Sequence, residues 1–566
     1  MRKIKTSPKD IWAEFEEAKQ YNDSIDLYEN VTRNENFYNG KQWEGVKADD
    51  LDKPVFNVIK RVINMFLAQI VSDDISISIT PFNSEYPPEM EQFFRSIKTE
   101  VERCFEYTKF KTKNRMLLRN AAVDGDGCYH WYYNPNIENG QAVKGFIECE
   151  LINNTNVFFG NTNTPDVQSQ PYILILQRKN IWAVQDEAKA NGVSQDEIDL
   201  IKPDSENNLI NDDKNEKLVS VIIKYWRDEK GIIHAVKTTS DTTIRKEWTT
   251  NYRTYPISYM SWEEVQNSYH GQSAVTERIP NQLFINKIFA MAMYYVKVMS
   301  FPKLIFDRNR LPNGLSNRIG EAIAVDGNVN EAVANAIQFP DMSNKVMELA
   351  EKTMQYTQEY MGASDATLGN MKPDNATAII ALQSSSNAPL ELIKQSFYQM
   401  VEDSVRIIIE LISNHYGTRT VYMGSGDDIN STGNAISVNF ADIKKFGLQV
   451  NIDVGASSYW SEIMQQQTLD AMFANGLFVN PIDYVNSIPD KYIRNKQTII
   501  DSLRQAKQEA MMAQQGMVPA TPEMQTAGGT DESVSVPTDI PYDPNLAAAL
   551  EEQGISDAVI NRAISG

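Results

Sequence analysis

The sequence predicts an α+β fold spread over several domains, and three observations predict it. Helical periodicity dominates residues 10–122 and returns from residue 274 onward. Between 143 and 260 lie short runs rich in β-branched and aromatic residues, divided by turn residues. The chain has 566 residues, enough for roughly three or four domains. Strands that cluster rather than alternate with helices point to a mostly antiparallel sheet.

Composition narrows the function. The net charge is -21 and the pI about 4.8. Such a chain repels nucleic-acid phosphates on average, which argues against a protein that grips DNA tightly. Solubility explains the acidity, and so does a DNA conduit whose wall must not stick. Mean hydropathy is -0.42, and no uncharged apolar run reaches the ~18 residues of a membrane span. MRKIKTSPKDIWAEFEEA has basic residues with no apolar stretch behind them, so no signal peptide is expected. Cys104, Cys128 and Cys149 are irregularly spaced and read as reduced, cytosolic thiols.

Catalytic and metal signatures do not appear in the sequence. His130, His234, His270 and His415 fall in no H-E-x-x-H, paired-His or triad-like pattern. There is no G-x-x-x-x-G-K-[ST] loop to power translocation. Asp124-Gly125-Asp126-Gly127 lacks the carboxylate ladder and closing glutamate of a calcium loop, and reads as a helix-to-strand turn. Cys128 and His130 have no second pair nearby to complete a zinc site. The expectation is a non-enzymatic protein with no cofactor.

In chain order, Ile11, Phe15, Ala18, Ile25 and Leu27 recur as a helical pattern that leads to FYNGKQW. There Phe37, Tyr38 and Trp43 flank the Asn39-Gly40 turn as a packed corner. Pro54 opens a helix whose face is Val55, Ile59, Val62, Ile63, Phe66 and Ile70. ISISITPF alternates strictly, as a strand stopped by Pro81. Residues 88–122 return to helix through Phe93, Ile97, Val101, Phe105, Met116 and Leu117. CYHWYY, KGFIECELI, NVFFG, YILILQRK, LVSVIIKYWRD, GIIHAVK and TYPISYM are strands, with one acidic helical insert, IWAVQDEAKANG. His270-Gly271 makes a turn, and Ser273 caps a helix with the stripe Val275, Ile279, Leu283, Ile288, Ala292, Tyr295 and Met299. Pro280 lies in its first turns and Phe301-Pro302 ends it. Residues 300–342 hold little core: a strand at Leu304–Phe306, and turns at Pro312-Asn313-Gly314 and Asp326-Gly327.

A helix capped by Ser343 leads into GASDATLGNMKPDN, residues 362–375, a loop with few apolar anchors that projects from the body. A helical pattern then runs from Ala376 to Tyr416, far beyond the ~11–12 residues of an average helix. Pro389 kinks it near Asn387. Leu390, Ile393, Phe397, Val401, Val405, Ile408 and Ile412 form its stripe, and Gly417 ends it. RTVYMG, AISVNF and LQVNIDVG are short strands, and SSYWSEIMQQQTLDAMFANGLF begins a helical C-terminal region. From Met517 the composition becomes that of a linker, with an acidic end. Helix, small module, helix, loop and long helix describe a stalk with a tip. A tip too small to bury itself packs on copies of itself.

FYNGKQW, YHGQSAVTERIPNQLFINKI and NATAIIALQSSSNAPLELIKQSFYQMVEDSVRIIIELI, in this order, resemble the portal proteins of tailed double-stranded DNA bacteriophages. DVGASSYWSEIMQQQTLDAMFANGL is similar to the short-tailed members. The resemblance covers 30–510 and implies a multi-domain subunit of a dodecameric ring at one capsid vertex. It implies a wing at 1–273 and 376–455, the latter holding the kinked spine helix. It also implies stem helices at 274–299 and 343–361, a clip at 300–342, a tunnel loop at 362–375, a crown at 456–515 and an acidic tail at 516–566. Implied partners are further copies, double-stranded DNA held without sequence preference, the terminase large subunit, capsid and scaffolding proteins, and a head-to-tail adaptor. The implied place is the virion, after assembly in the host cytoplasm. Lys372 is the one cation of the loop, opposed by Asp365 and Asp374, and is the candidate phosphate contact. Thr367, Asn370 and Asn375 are its polar companions facing the channel. Arg308, Arg310 and Arg318 in the clip are candidate partner or neighbour contacts, and no residue set reads bases. A smaller virion connector, adaptor or scaffold, and a DNA-processing enzyme, are the alternatives.

Overall fold

The computed structural model describes residues 4–47, 51–71, 75–81, 89–204, 217–300, 304–311, 325–328, 334–336, 344–361, 390–423, 434–446, 448–454, 468–474, 484, 485, 488, 499, 500 and 502. The chain divides into two compact units, Met1–Ala471 and Met472–Gly566. In the second, Phe473 stacks on Tyr484 with ring centroids 4.4 Å apart, and Ile488 and Ile500 are buried. The fold is α+β, and every strand pair among the described residues is antiparallel. Among those residues no helix is long and apolar enough to cross a membrane.

The first unit opens with α1 (Pro8–Ser24) and α2 (Leu27–Tyr38). Next come α3 (Val58–Val71), β1 (Ile75–Pro81), α4 (Glu89–Tyr107) and α5 (Phe110–Asp124). Helix α3 starts three residues later than the sequence suggests, and Val55 is exposed rather than on its face. Asn57 is the reason: its Oδ1 accepts the Lys60 N–H at 2.9 Å, which satisfies a free first-turn donor. The single helical stretch expected at 88–122 is two helices, because Lys109 takes a left-handed backbone at φ 53° between them. Gly125, at φ 106°, then turns α5 into β2 (Asp126–Asn134), as the DGDG reading requires.

A three-stranded sheet pairs β3 (Phe146–Ile152), β2 and β9 (Ile257–Ser261) in that order. A five-stranded sheet runs β4 (Val157–Phe159), β5 (Tyr172–Asn180), β6 (Leu218–Arg227), β7 (Ile233–Thr238), β8 (Thr243–Thr249). The sequence reading missed β8, because TIRKEWT puts a charged pair where alternation is sought. The acidic insert is α6 (Ile181–Ala190), and a short α7 (Gln195–Ile198) follows it, started by a Ser194–Glu197 capping box.

Both faces of the five-stranded sheet are covered, which is why β6 reads as a near-continuous apolar run. Ile11 and Phe15 of α1 pack with Leu174, Ile222 and Trp226 on one face. On the other, Val184 and Ala188 of α6 pack with Val219, Val221 and Ile244. Each face also holds a buried lysine. Lys224 Nζ lies 2.5 Å from Glu14 Oε2 on α1 and donates to the Lys5 carbonyl at 2.9 Å. Lys237 Nζ lies 2.5 and 2.6 Å from the two Glu187 oxygens on α6. Burial pushes the Lys237 amine down to about 8, with Lys179 adding to the effect and Glu187 opposing it. A buried cation without its carboxylate is costly, so each pair fixes where its helix sits.

After the hairpin described below, α10 (Glu391–His415) packs on β9 and β2. The predicted stripe is its inner face: Leu390, Phe397, Val401, Val405, Ile408 and Ile412 are buried, with Ile393 packed beside them. Gly417 follows at φ 56°. The part of this helix expected at 376–389, with the kink at Pro389, lies outside the described residues. β12 (Thr418–Met423) pairs with β13 (Asn434–Asn439). β14 (Leu448–Val454) returns to β1, Ile75 opposite Val454 and Pro81 opposite Leu448. Ile77 and Ile79 of β1 point inward and Ser78 and Thr80 outward, the alternation read from ISISITP.

His415, at the end of α10, stacks on Tyr133 with centroids 4.3 Å apart, and its Nε2 lies 2.5 Å from the Tyr252 hydroxyl. Burial, with Lys444 nearby, holds its pKa down to about 4 from 6.5. The folded chain therefore refuses a proton that the unfolded chain accepts. This contribution to stability is complete above pH 6.5 and is lost as pH falls from there through 4. Thermal melts at pH 7 and pH 5 should show a smaller acid-induced drop for His415→Gln than for the parent; equal drops would remove His415 as the titrating group.

Candidate functional site at the root and faces of a helical hairpin

The segment before α8 (Ile279–Ser300) is held by backbone contact that only glycine permits. A Cβ on Gly125 would meet the Gly271 oxygen at 2.5 Å, and one on Gly271 would meet the Gly125 oxygen at 2.9 Å. The Gly271 N–H donates to Asp126 Oδ1 at 2.7 Å, and His270 Nδ1 lies 2.8 Å from Asp126 Oδ2. His270 Nε2 reaches Asn22 Oδ1 on α1 at 3.1 Å. Both oxygens of Asp126 thus orient this turn. Ser273 does not cap α8 as expected. Its hydroxyl lies 2.6 Å from the Val123 carbonyl and accepts the Val275 N–H, and a 3-10 turn at Thr276–Arg278 precedes the helix. Pro280 falls in the first turn, where its missing N–H costs nothing.

One turn further, three buried amides lock α8 to the FYNGKQW corner. Gln282 Nε2 donates to the Phe56 carbonyl at 2.6 Å and its Oε1 accepts the Val58 N–H at 3.1 Å. Asn286 Nδ2 donates to Gln42 Oε1 at 2.6 Å, and Gln42 Nε2 donates to the Phe37 carbonyl at 2.9 Å. Gln282 Nε2 also lies 3.1 Å from Asn286 Oδ1. Phe56 stacks near Phe289 at 4.2 Å, and Trp43 Nε1 donates to the Pro54 carbonyl at 2.8 Å. Two of the stretches that carry the sequence resemblance are therefore in direct contact. The sequence reading missed these amides, although Gln282 and Asn286 stand four apart on the same face as Ile279, a visible signal of a buried polar row.

Beyond this root α8 packs on α9 (Asn344–Tyr360), and α9 on α3. Between the helices β10 (Leu304–Phe306) pairs with β11 (Ala334–Ala336), so Ser300 and Asn344 enter and leave at one end. β11 was missed because Ala-Asn-Ala carries no strand signal. The outward face of α8 is largely apolar, and that of α9 mixes apolar side chains with Glu348, Glu351, Lys352 and Glu359. Phe284, Met291, Tyr294 and Val296 of α8 are exposed, Val296 at 58%, and so are Leu349, Tyr356 and Tyr360 of α9, Tyr360 at 77%. Phe284, Met291 and Tyr294 repeat at seven and three, a seam that fits another helix. Helix α8 carries Lys287 and Lys297 and no carboxylate.

Of the predicted site residues, Thr367, Asn370, Lys372, Asn375 and Arg318 lie outside the described residues. Arg308 is exposed beside β10. Arg310 turns inward, with Nη2 donating to the Asn328 carbonyl at 2.7 Å and Nε to the Asp326 carbonyl at 3.3 Å, so it ties 307–311 to 325–328.

The hairpin is docked at its root, and the flank of α8 stands bare. A family model described as "Phage P22-like portal protein" matches residues 170–533, more than half of the chain. The chain belongs to this portal protein family. No curated protein matches it. Portal proteins of this family form the homo-oligomeric ring at a capsid vertex, the channel for DNA in packaging and ejection, and the platform for terminase and tail; their role is structural.

Asn286→Leu would leave Gln42 Oε1 without its donor, at about 1–3 kcal/mol for each buried group orphaned. Its thermal midpoint should fall by several degrees, and an unchanged midpoint would mean that the amide row does not fix the root.

Proposed function

We propose that twelve copies of this portal protein close into the ring, with the α8–α9 hairpin as its stem. The supporting observation is the exposed apolar face of α8, with Leu349, Tyr356 and Tyr360 exposed among charged residues on α9. Two different faces on one subunit join head to tail, and such a contact repeated around an axis closes a ring. In this reading residues 1–273 and 376–455 are the wing, 274–299 and 343–361 the stem, and 300–342 the clip. The long helix through 376–416 is the kinked spine of the wing. Residues 362–375 are the tunnel loop, 456–515 the crown and 516–566 an acidic tail. Terminase and, later, a head-to-tail adaptor meet the clip, where Arg308 and Arg318 make the partner contacts and Arg310 shapes the turn. Assembly takes place in the host cytoplasm with capsid and scaffolding proteins.

The net charge of -21 supports a channel wall that repels phosphate, so that a duplex slides with little friction. Lys372, with Thr367, Asn370 and Asn375, supplies weak contacts to phosphates that carry no sequence information. The chain has no machinery for hydrolysing nucleotides in this reading; the motor is the terminase.

Images of the purified protein down its axis should show a closed ring, and a stable monomer would overturn the proposal. Met291→Asp together with Tyr356→Asp, both at exposed positions, should convert rings to monomers in size-exclusion chromatography without lowering helical content. Shortening 362–375 should leave rings intact but reduce packaged DNA; undiminished packaging would remove the tunnel-loop assignment.

A further inference from the structure

A cleft of about 810 Å³ lies where α2, α3 and α5 meet. Leu67 and Val71 give it an apolar lining, Met116 stands exposed at its edge, and Arg115 and Arg119 line it one helical turn apart on α5. No carboxylate lines it among the described residues. On a chain with a net charge of -21 a concave basic surface is not the default.

The walls are fixed before anything binds. Arg119 is held by both oxygens of Glu35 and lies 4.9 Å from the centre of the Tyr38 ring. Lys60 sits over the same ring at 5.3 Å, and the Tyr38 hydroxyl donates to Asn64 Oδ1 at 2.7 Å. Glu35 neutralises Arg119, while Arg115 and Lys60 nearby make no ion pair among the described residues. Arg115 is exposed. Met116 beside it is 54% exposed, an apolar side chain left bare between two cations of its own helix.

We infer that this cleft docks a peptide segment of another virion protein in which an apolar side chain is flanked by aspartate or glutamate. The apolar side chain meets the apolar lining, and the carboxylates meet Arg115 and Lys60, Arg115 through a two-pronged contact. A volume of this size suits one or two large side chains with their backbone. Nucleic acid fits less well. Phosphates would use the cations but leave the apolar lining of Leu67 and Val71 empty, and a duplex is too broad to reach it.

The test uses the assembled full-length protein and a fluorescein-labelled synthetic peptide, Glu-Asp-Leu-Phe-Glu-Asp, read by fluorescence anisotropy. A Lys-Arg-Leu-Phe-Lys-Arg peptide and a short DNA duplex serve as comparisons. The acidic peptide should bind saturably and weaken as salt rises. Arg115→Glu should weaken it about tenfold or more, and so should Ala68→Trp, which fills the cleft without changing charge. Both positions are exposed, so both variants should keep the parent's melting point and oligomeric state. Three results would overturn the inference. They are no saturable binding of the acidic peptide, equal affinity in parent and variants, or a loss in the variants of duplex binding alone.

Discussion

Three amides, Gln42, Gln282 and Asn286, decide where α8 begins and which side of it faces the body. In a helix of Ile, Leu, Phe and Met, apolar burial alone would tolerate rotation about the axis, because almost any face is greasy enough. Buried amides do not tolerate it. Each must meet its partners within hydrogen-bond distance, and a rotation of one residue would orphan several at once. The faces of α8 left bare are therefore chosen by its root. The glycine pair Gly125 and Gly271 acts one step earlier, by letting two backbones approach so closely that Asp126 can hold the turn from below.

The same logic operates on the five-stranded sheet. Apolar contact holds α1 and α6 against its two faces, but a smooth apolar surface specifies position poorly. Lys224 and Lys237 add directed contacts on each side, pairing with Glu14 and Glu187. Replacement by well-packed apolar pairs could keep the stability and lose the register. A ring subunit needs register more than stability, since an error in one copy is repeated around the axis.

Much of this was legible in the sequence where one period dominates. ISISITP alternates because one face of β1 is buried, and α10 repeats at three and four because one side of it covers β9 and β2. Val401, Val405, Ile408 and Ile412 could be placed from spacing alone. What failed had local causes. TIRKEWT hid β8, because an edge strand keeps charges where an inner strand has valine. Ala-Asn-Ala hid β11. Val55 and Ser273 were misplaced because Asn57 and a 3-10 turn set the true helix starts; Asn57 is held by Phe37 and Tyr38, and Ser273 by Val123, contacts that helical periodicity does not show. The amide row was readable but unread: Gln282 and Asn286 four apart on an apolar face are unexplained unless something polar meets them.

The distribution of charge completes the argument. The chain carries 75 acidic and 54 basic residues, yet α8 has two lysines and no carboxylate. A carboxylate on a surface that a neighbour will cover must lose its water, and no single partner returns that cost in full. On a surface that stays wet beside passing phosphates, the same carboxylate is useful because it repels. Acidic residues are absent from α8, whereas α9 keeps Glu348, Glu351 and Glu359 exposed, with Lys352 beside Glu348. In the proposed ring a helix without carboxylates, as α8 is, suits adhesion between copies, and the acidity of the rest of the chain suits repulsion of DNA.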